Sequence, residues 1–169
     1  MKRKRLFVVV TILAVIWLGF IFYMSSQTAV ASGQMSESIT KDVVTVGEKV
    51  GVVKAGTTSS ELALRRYDSI IRSTAHVGMY FVLACIMFFV FWIWGLNKKI
   101  SVILSFVIGA FISFVDEINQ MHLVGRNSGG VIRDGIEDIY RDTFGICIAL
   151  VIFVIIRVIA ETRAKNVKV

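Results

Sequence analysis

The sequence predicts an all-α, polytopic membrane protein with four transmembrane helices and an amphipathic helix in the loop after the first. Of the 169 residues, 56% are apolar, the mean hydropathy is +0.74, and there is no proline. The chain also holds four long apolar stretches, and about 20 such residues cross the hydrocarbon core of a bilayer as a helix. Because soluble domains rarely hold runs of this kind, the composition excludes an ordinary soluble domain. We predict a single domain over residues 1–169.

The first predicted span covers residues 6–24, nineteen residues without a charge that follow the basic segment MKRKR. A cleaved signal peptide is the competing interpretation, because Ala29-Val30-Ala31 resembles a cleavage site. The apolar core of a signal peptide usually has about 7–15 residues, so the length favours a retained helix. In either case the next segment is predicted to lie outside the cytoplasm.

Residues 25–73 form a polar loop that contains an amphipathic pattern. Its apolar residues recur at spacings of four and three, which predicts one apolar face of a helix. Those residues are Ile39, Val43, Val46, Val50 and Val53. A helix of this type is expected to lie on the outer leaflet or over the bundle.

The other three spans are predicted at residues 74–95, 100–121 and 138–159. A helix that begins near Ser60, as its N-cap, precedes the second span. The helix that contains the fourth span is predicted to begin near Val131.

The basic residues are distributed unevenly between the two ends of the predicted spans. The two tails and the turn between the second and third spans hold ten of the nineteen basic residues and one of the twelve acidic ones, a net charge of +9. The other segments hold nine basic and eleven acidic residues, a net charge of −2. By the positive-inside rule both termini are cytoplasmic. The positive charge therefore indicates topology, and we predict no nucleic-acid partner.

Ionisable residues are concentrated in residues 110–145, at the predicted outer ends of the spans. Six of the twelve acidic residues lie there. Because charged groups at that depth are costly, such a concentration indicates a functional site. With two residues of the second span, the candidate ligand-binding residues are His76, Tyr80, Asp116, Glu117, Gln120, Arg126, Asp134, Asp138 and Asp142.

The candidates for a catalytic role are Glu117, Asp116 and His76, since carboxylates beside a histidine suit acid–base chemistry. Glu117 is the preferred acid, because a long uncharged run precedes this acidic pair and no basic residue follows until Arg126. The opposing interpretation is that these groups pair with one another and only hold the helices together.

No cofactor is predicted. The carboxylates are compatible with a divalent cation, which favours oxygen ligands, without predicting one. Cys85 and Cys147 lie in apolar runs and lack metal-ligand spacing. No serine or cysteine lies in a recognised nucleophile context.

Several short motifs, in their order and spacing, resemble the VanZ-like membrane proteins over nearly the whole chain. The matching segments are Ser25-Ser26-Gln27, Arg72 with His76 and Tyr80, Asp116-Glu117 with Gln120, Gly125-Arg126, Asp134, and Asp142-Thr143-x-Gly145. This chain departs from the family pattern at Ser73, Met79 and Val124, where the family tends to have a basic residue, an acid and a proline. Its acidic stripe is also about one turn longer, so either Asp138 or Asp142 corresponds to the family's second acid.

The resemblance implies a multi-pass protein of the bacterial cell membrane. The family takes its name from an accessory protein associated with reduced susceptibility to the glycopeptide antibiotic teicoplanin. We expect an outer polar pocket that binds a lipid headgroup or another envelope ligand, without catalysis. The alternative is a membrane enzyme that acts on a lipid-linked envelope precursor with the same carboxylates. Expected partners are membrane lipids, such a precursor, or the glycopeptide itself.

Overall fold

A computed structural model describes residues 2–121 and 131–166. This part of the chain contains five helices. They are α1 (Lys2–Ser25), α2 (Ala29–Lys49), α3 (Glu61–Trp94), α4 (Lys98–Met121) and α5 (Val131–Asn166). The helices α1, α3 and α4, and the segment Gly135–Arg163 of α5, are long and apolar enough to cross a membrane. The predicted all-α polytopic fold is therefore confirmed.

The central helix is α3, which packs against each of the other four helices. It begins at the predicted N-cap Ser60, whose hydroxyl accepts a hydrogen bond from the Ala63 N–H. It ends at Gly95, where φ is 119°, a left-handed value that favours glycine. The sequence placed the start of this helix and the second span in two segments, but the structure joins them into one helix of 34 residues. No proline interrupts the segment, so nothing breaks the ladder of backbone hydrogen bonds.

The helix α2 is the amphipathic helix of the loop, but its predicted apolar face is turned away from the protein. Thr40 and Val44 are the residues that it buries. The hydroxyls of Ser36 and Thr40 both donate hydrogen bonds to the Asp68 carboxylate on α3. Of the predicted face, Val43, Val46 and Val50 are exposed on the outer surface, whereas Ile39, although also exposed, lines a cavity between α2 and the bundle. Polar contacts with α3 therefore decide how α2 is rotated.

Small residues allow α4 and α5 to pack closely against their neighbours. On α4, every fourth residue of the inward face is small, in the series Ser101, Ser105, Gly109 and Ser113. A Cβ atom at Gly109 would lie 2.9 Å from Cδ1 of Ile146 on α5. Gly145 packs directly on the backbone of Val77 in α3, with no room for a Cβ atom. Gly145 therefore allows α5 and α3 to approach each other closely.

The two ends of the bundle differ in the chain segments that they bring together. At one end Arg3 Nε donates a hydrogen bond of 2.9 Å to the Ile93 carbonyl, which places the start of α1 beside the end of α3. At the other end Asn119 Nδ2 donates a hydrogen bond of 3.2 Å to Ser26 Oγ, which joins the ends of α4 and α1. The second end, where Ser26 and Asn119 lie, is called the site end below.

Candidate functional site

Asp142 joins three helices at the site end. Its side chain, on α5, is buried, with 3% of the residue exposed. His76 Nδ1 of α3 lies 3.1 Å from one carboxylate oxygen, and Ser113 Oγ of α4 lies 2.7 Å from the other. Because an ionised carboxylate only accepts hydrogen bonds, the histidine and the serine are the donors. This arrangement fixes the rotamer of His76.

Asp116 lies close to this group, near the end of α4, and is also 3% exposed. Its Oδ2 accepts a hydrogen bond of 3.1 Å from Gln120 Nε2. Its Oδ1 is buried, and the hydroxyls of Ser25 and Tyr80 lie close to the carboxylate and interact with it, although none of these three atoms forms a hydrogen bond of good geometry among the described residues. Buried polar atoms normally have a partner, and one left without costs about 1–3 kcal/mol. A buried carboxylate held by poorly aligned hydroxyl contacts can exchange one of them for a polar ligand or water.

A cavity of about 380 Å³ opens above these groups, among α1, α2, α3 and the site-end parts of α4 and α5. Its volume lies within the usual range for small-molecule sites, roughly 300–1,000 Å³. Its floor includes Ser25, His76 and Asp116. Its charged rim consists of Arg65, Asp68, Arg72, Asp138 and Arg141, and its apolar wall includes Met24, Met35 and Ile39.

The three arginines of the rim differ in their partners. Arg65 pairs with Glu61 at 2.6 Å, and Arg141 pairs with Glu137 and Asp138. In the described part of the chain Arg72 forms no ion pair, and its Nη2 lies 3.5 Å from the Ser32 hydroxyl, a long and weak contact. Arg72 is therefore the rim cation that is available to an anion.

The structure separates the two adjacent acids of α4. Asp116 lines the cavity, whereas Glu117 is absent from its lining and is 8% exposed. The Glu117 carboxylate packs directly on Gly135 of α5, where a Cβ atom would not fit. Among the described residues it has no hydrogen bond or ion pair, so burial against α5 is its main environment.

The structure brings most of the predicted site residues together at the site end. Tyr80, Asp116, Gln120 and Asp142 form a buried group together with the half-buried His76, and Asp138 lies at the rim of the cavity. Arg126 lies outside the described residues. Asp134 belongs to α5, but its side chain is outside the described part.

Four residues of the site were not predicted from the sequence, namely Asp68, Arg65, Ser113 and Arg141. A signal for two of them exists in the spacing. Asp68, Arg72, His76 and Tyr80 follow one another every four residues on α3, and Ser113 belongs to the small-residue series of α4. Residues four apart lie on one face of a helix, so each series marks the face that turns towards the site.

The described residues include no group of three or more His, Cys, Asp or Glu side chains arranged to hold a metal ion. The Asp116 carboxylate can bind hydrogen-bond donors. The pair of His76 and Asp142 can move a proton.

Comparison with known proteins identifies the family. No curated protein and no solved structure matches the chain significantly. The profile of the family described as VanZ/LLP1 matches residues 10–157, a range that includes every residue lining the cavity. The chain is therefore a multi-pass membrane protein that belongs to the VanZ/LLP1 family.

Proposed function

We propose that this protein lies in the bacterial cell membrane and lowers susceptibility to glycopeptide antibiotics such as teicoplanin. In this proposal its cavity binds a lipid headgroup or another ligand of the cell envelope, and no bond is made or broken. The observation that carries the proposal is the open cavity whose floor holds the buried Asp116 carboxylate, of which one oxygen forms no hydrogen bond of good geometry among the described residues. In a cluster with a purely structural role, the polar groups normally form well-aligned hydrogen bonds with one another.

The charge distribution supports an outward-facing cavity with both termini in the cytoplasm. The end of the bundle opposite the site carries Arg3, Lys98, Lys99 and Arg157. Basic residues at the ends of membrane spans are retained on the cytoplasmic side. The cavity then faces the side from which an added glycopeptide approaches. Its ligand would be a membrane lipid, a lipid-linked envelope precursor or the glycopeptide itself.

The test compares the parent protein with Asp116→Asn in a glycopeptide-susceptible bacterium. We expect the parent to raise the minimal inhibitory concentration of teicoplanin and the variant to lose this effect while its level in the membrane stays normal. The exposed residue Arg66, on α3 but outside the cavity lining, provides the control Arg66→Gln. Loss of Asp116→Asn protein in step with the phenotype would support the structural interpretation, since an unpartnered buried group destabilises. No effect of the parent would contradict the resistance function.

A second candidate function is catalysis on a lipid-linked envelope precursor, and the hydrogen bond between His76 and Asp142 favours it. Nδ1–H donates to the carboxylate, which leaves Nε2 of this cavity-lining histidine able to accept a proton. The purified protein would be incubated with the polar lipid extract of the host, and products would be followed by mass spectrometry. Product that forms with the parent and is lost in His76→Gln would support the enzyme; an unchanged extract would support the binding protein.

A further inference from the structure

We propose, resting on the function above, that the ligand of the cavity is a phospholipid whose headgroup carries hydrogen-bond donors. The phosphodiester anion pairs with Arg72 at the rim. A hydroxyl or ammonium group beyond the phosphate reaches the floor and donates to Asp116 Oδ1. Phosphoglycerol and phosphoethanolamine headgroups have this chemistry, whereas phosphocholine has the same phosphate but no donor.

The depth of Arg72 in the membrane matches the level of the lipid phosphates. Trp92 and Trp94, both exposed, stand at the end of α3, and tryptophan prefers the boundary between hydrocarbon and headgroups. Arg72 precedes Trp94 by 22 residues on the same helix, which corresponds to about 33 Å at 1.5 Å per residue. The hydrocarbon core is about 30 Å thick. Arg72 therefore stands at the level of the lipid phosphates of the opposite leaflet, and His76, one turn deeper, stands just inside the hydrocarbon boundary.

The charges at the rim of the cavity also favour a phosphate at Arg72. Arg65 and Arg141 are neutralised by carboxylates of their own helices, whereas Arg72 has no ion pair in the described part of the chain. A guanidinium presents two parallel N–H donors that match two phosphate oxygens. A phosphodiester at Arg72 would receive a charge-assisted contact without displacing an existing ion pair.

The chemistry of the cavity floor favours a hydrogen-bond donor. Asp116 Oδ1 is a buried acceptor that forms no hydrogen bond of good geometry among the described residues, and the Ser25 hydroxyl beside it contacts the carboxylate only weakly. Asp142 adds a second carboxylate behind them. Such a floor repels an anion and attracts a donor, so the phosphate belongs at the rim and the donor group at the floor. The phosphate thus fits at the rim, and the headgroup turns inward from it to bring its donor group to the deeper floor.

The apolar wall of the cavity provides a place for the acyl chains. The cavity wall on the side of α1 and α2 is apolar and contains Met24, Met35 and Ile39. Both helices pack on α3, and little contact joins α1 to α2 directly in the described residues. In this proposal, the chains attached to a bound headgroup leave the cavity along this apolar wall, between α1 and α2.

The experiment measures the dissociation constants of dihexanoyl lipids for the delipidated full-length protein in detergent micelles. Phosphatidylethanolamine and phosphatidylcholine form the decisive pair, because they carry the same charges and differ in the N–H donors. We expect phosphatidylethanolamine and phosphatidylglycerol to bind about tenfold more tightly than phosphatidylcholine, the size of one hydrogen bond to a charged group. Dihexanoylglycerol, which has no phosphate, should bind most weakly. Glycerol 3-phosphate tests whether a soluble phosphoester suffices.

Variants assign the two contacts. Arg72→Gln should weaken the three phospholipids about tenfold while the preference for phosphatidylethanolamine over phosphatidylcholine remains. Asp116→Asn should remove that preference, since the amide replaces the acceptor charge. Arg66→Gln, on the same helix outside the cavity, should change neither.

Equal binding of phosphatidylethanolamine and phosphatidylcholine by the parent would overturn the donor contact. An Arg72→Gln variant that behaves like Arg66→Gln would overturn the phosphate contact. Glycerol 3-phosphate that binds as tightly as phosphatidylglycerol would overturn the lipid as the source of the phosphate. Lipid binding without any headgroup preference would overturn this inference and leave the proposed function intact, whereas no binding of any lipid would contradict a lipid-binding function as well.

Discussion

Because Gly145 has no Cβ atom, the backbones of α5 and α3 can touch at this position. A methyl group at this position would overlap the Val77 carbonyl, and backbone cannot move aside as a flexible side chain can. Gly145→Ala is therefore expected to destabilise the protein by about 1–3 kcal/mol, as overpacking does. Thermal unfolding in detergent measures the effect.

Gly78 provides the matched control for this substitution. It is also helical, next to Val77, and a Cβ atom there would meet nothing within 4 Å. Gly78→Ala should be neutral or stabilise by up to about 1 kcal/mol, because alanine is the better helix former. Equal losses in the two variants would show that the contact with Val77 is not the cause.

The hydrogen bond from Ser113 to Asp142 is expected to contribute measurably to stability. Ser113→Ala removes a donor at 2.7 Å from a buried carboxylate, and a loss of about 1–3 kcal/mol should follow. Ser105, two turns earlier on α4, is just as buried, but its hydroxyl has no partner in the described residues. Ser105→Ala should therefore be neutral or stabilising in the same denaturation measurement. A larger loss of stability in Ser105→Ala than in Ser113→Ala would contradict this assignment.

The different positions of Asp116 and Glu117 explain part of what the sequence did not predict. Both follow the same uncharged run, so hydropathy treats them alike. The four-residue series that ends at Ser113 continues to Glu117, and that series faces α5. Asp116 is turned by about 100° from Glu117, because a helix has 3.6 residues per turn. That rotation decides which acid meets the cavity, and it depends on the packing of small residues that composition alone does not show.

At the scale of the helix, the rotation of α2 could not be obtained from its apolar pattern. The usual rule places the apolar face of an amphipathic helix against the protein core. Beside a membrane the outer surroundings are themselves apolar, so a polar face can turn inward and the apolar face outward. The Asp68 carboxylate supplies that inward attraction, through the hydroxyls of Ser36 and Thr40.

The attachment of α2 to α3 is therefore expected to depend on Asp68. Asp68→Ala removes the acceptor of two hydrogen bonds, each worth about 1.5–3 kcal/mol when one partner is charged. Amide hydrogen exchange in α2 should rise at least about tenfold, since each 1.4 kcal/mol changes an opening equilibrium by that factor. Exchange in α4 should stay unchanged.

Asp42→Ala is the control for this measurement. Asp42 is exposed on α2 and removing it deletes an acid of the same type without touching α3. If Asp42→Ala accelerated exchange in α2 as much as Asp68→Ala, helix propensity or charge would be the cause and the Asp68 contacts would not.

For the whole molecule, the charge distribution predicts the orientation in the membrane, with both termini in the cytoplasm. Cysteines placed singly at Ser59 and Lys98, both exposed, would be tested in a background that lacks Cys85 and Cys147. An impermeant thiol reagent added to intact cells should label position 59 and leave position 98 unlabelled. Labelling of position 98 with position 59 silent would reverse the orientation.

Much of the overall architecture could be predicted because its causes are local. Long apolar runs predict spans, and alternating span directions bring Asp116 and Asp142 to the end where His76 lies. The cavity could not be predicted in the same way. It requires the packing of α2 against α3, a tertiary contact without a local pattern in the sequence.

The unbroken length of α3 has a consequence for the kind of membrane that suits this protein. Because one rigid helix carries both Trp94 and Arg72, their separation is constant, whereas bilayer thickness varies with acyl-chain length and sterol content. In a thicker bilayer either Arg72 sinks below the phosphates or the bundle becomes more upright. In a thinner one the bundle tilts. Hydrophobic mismatch thus couples the height of the cavity to the lipids around it, and chain length, in addition to headgroup chemistry, becomes a determinant of where the protein works best.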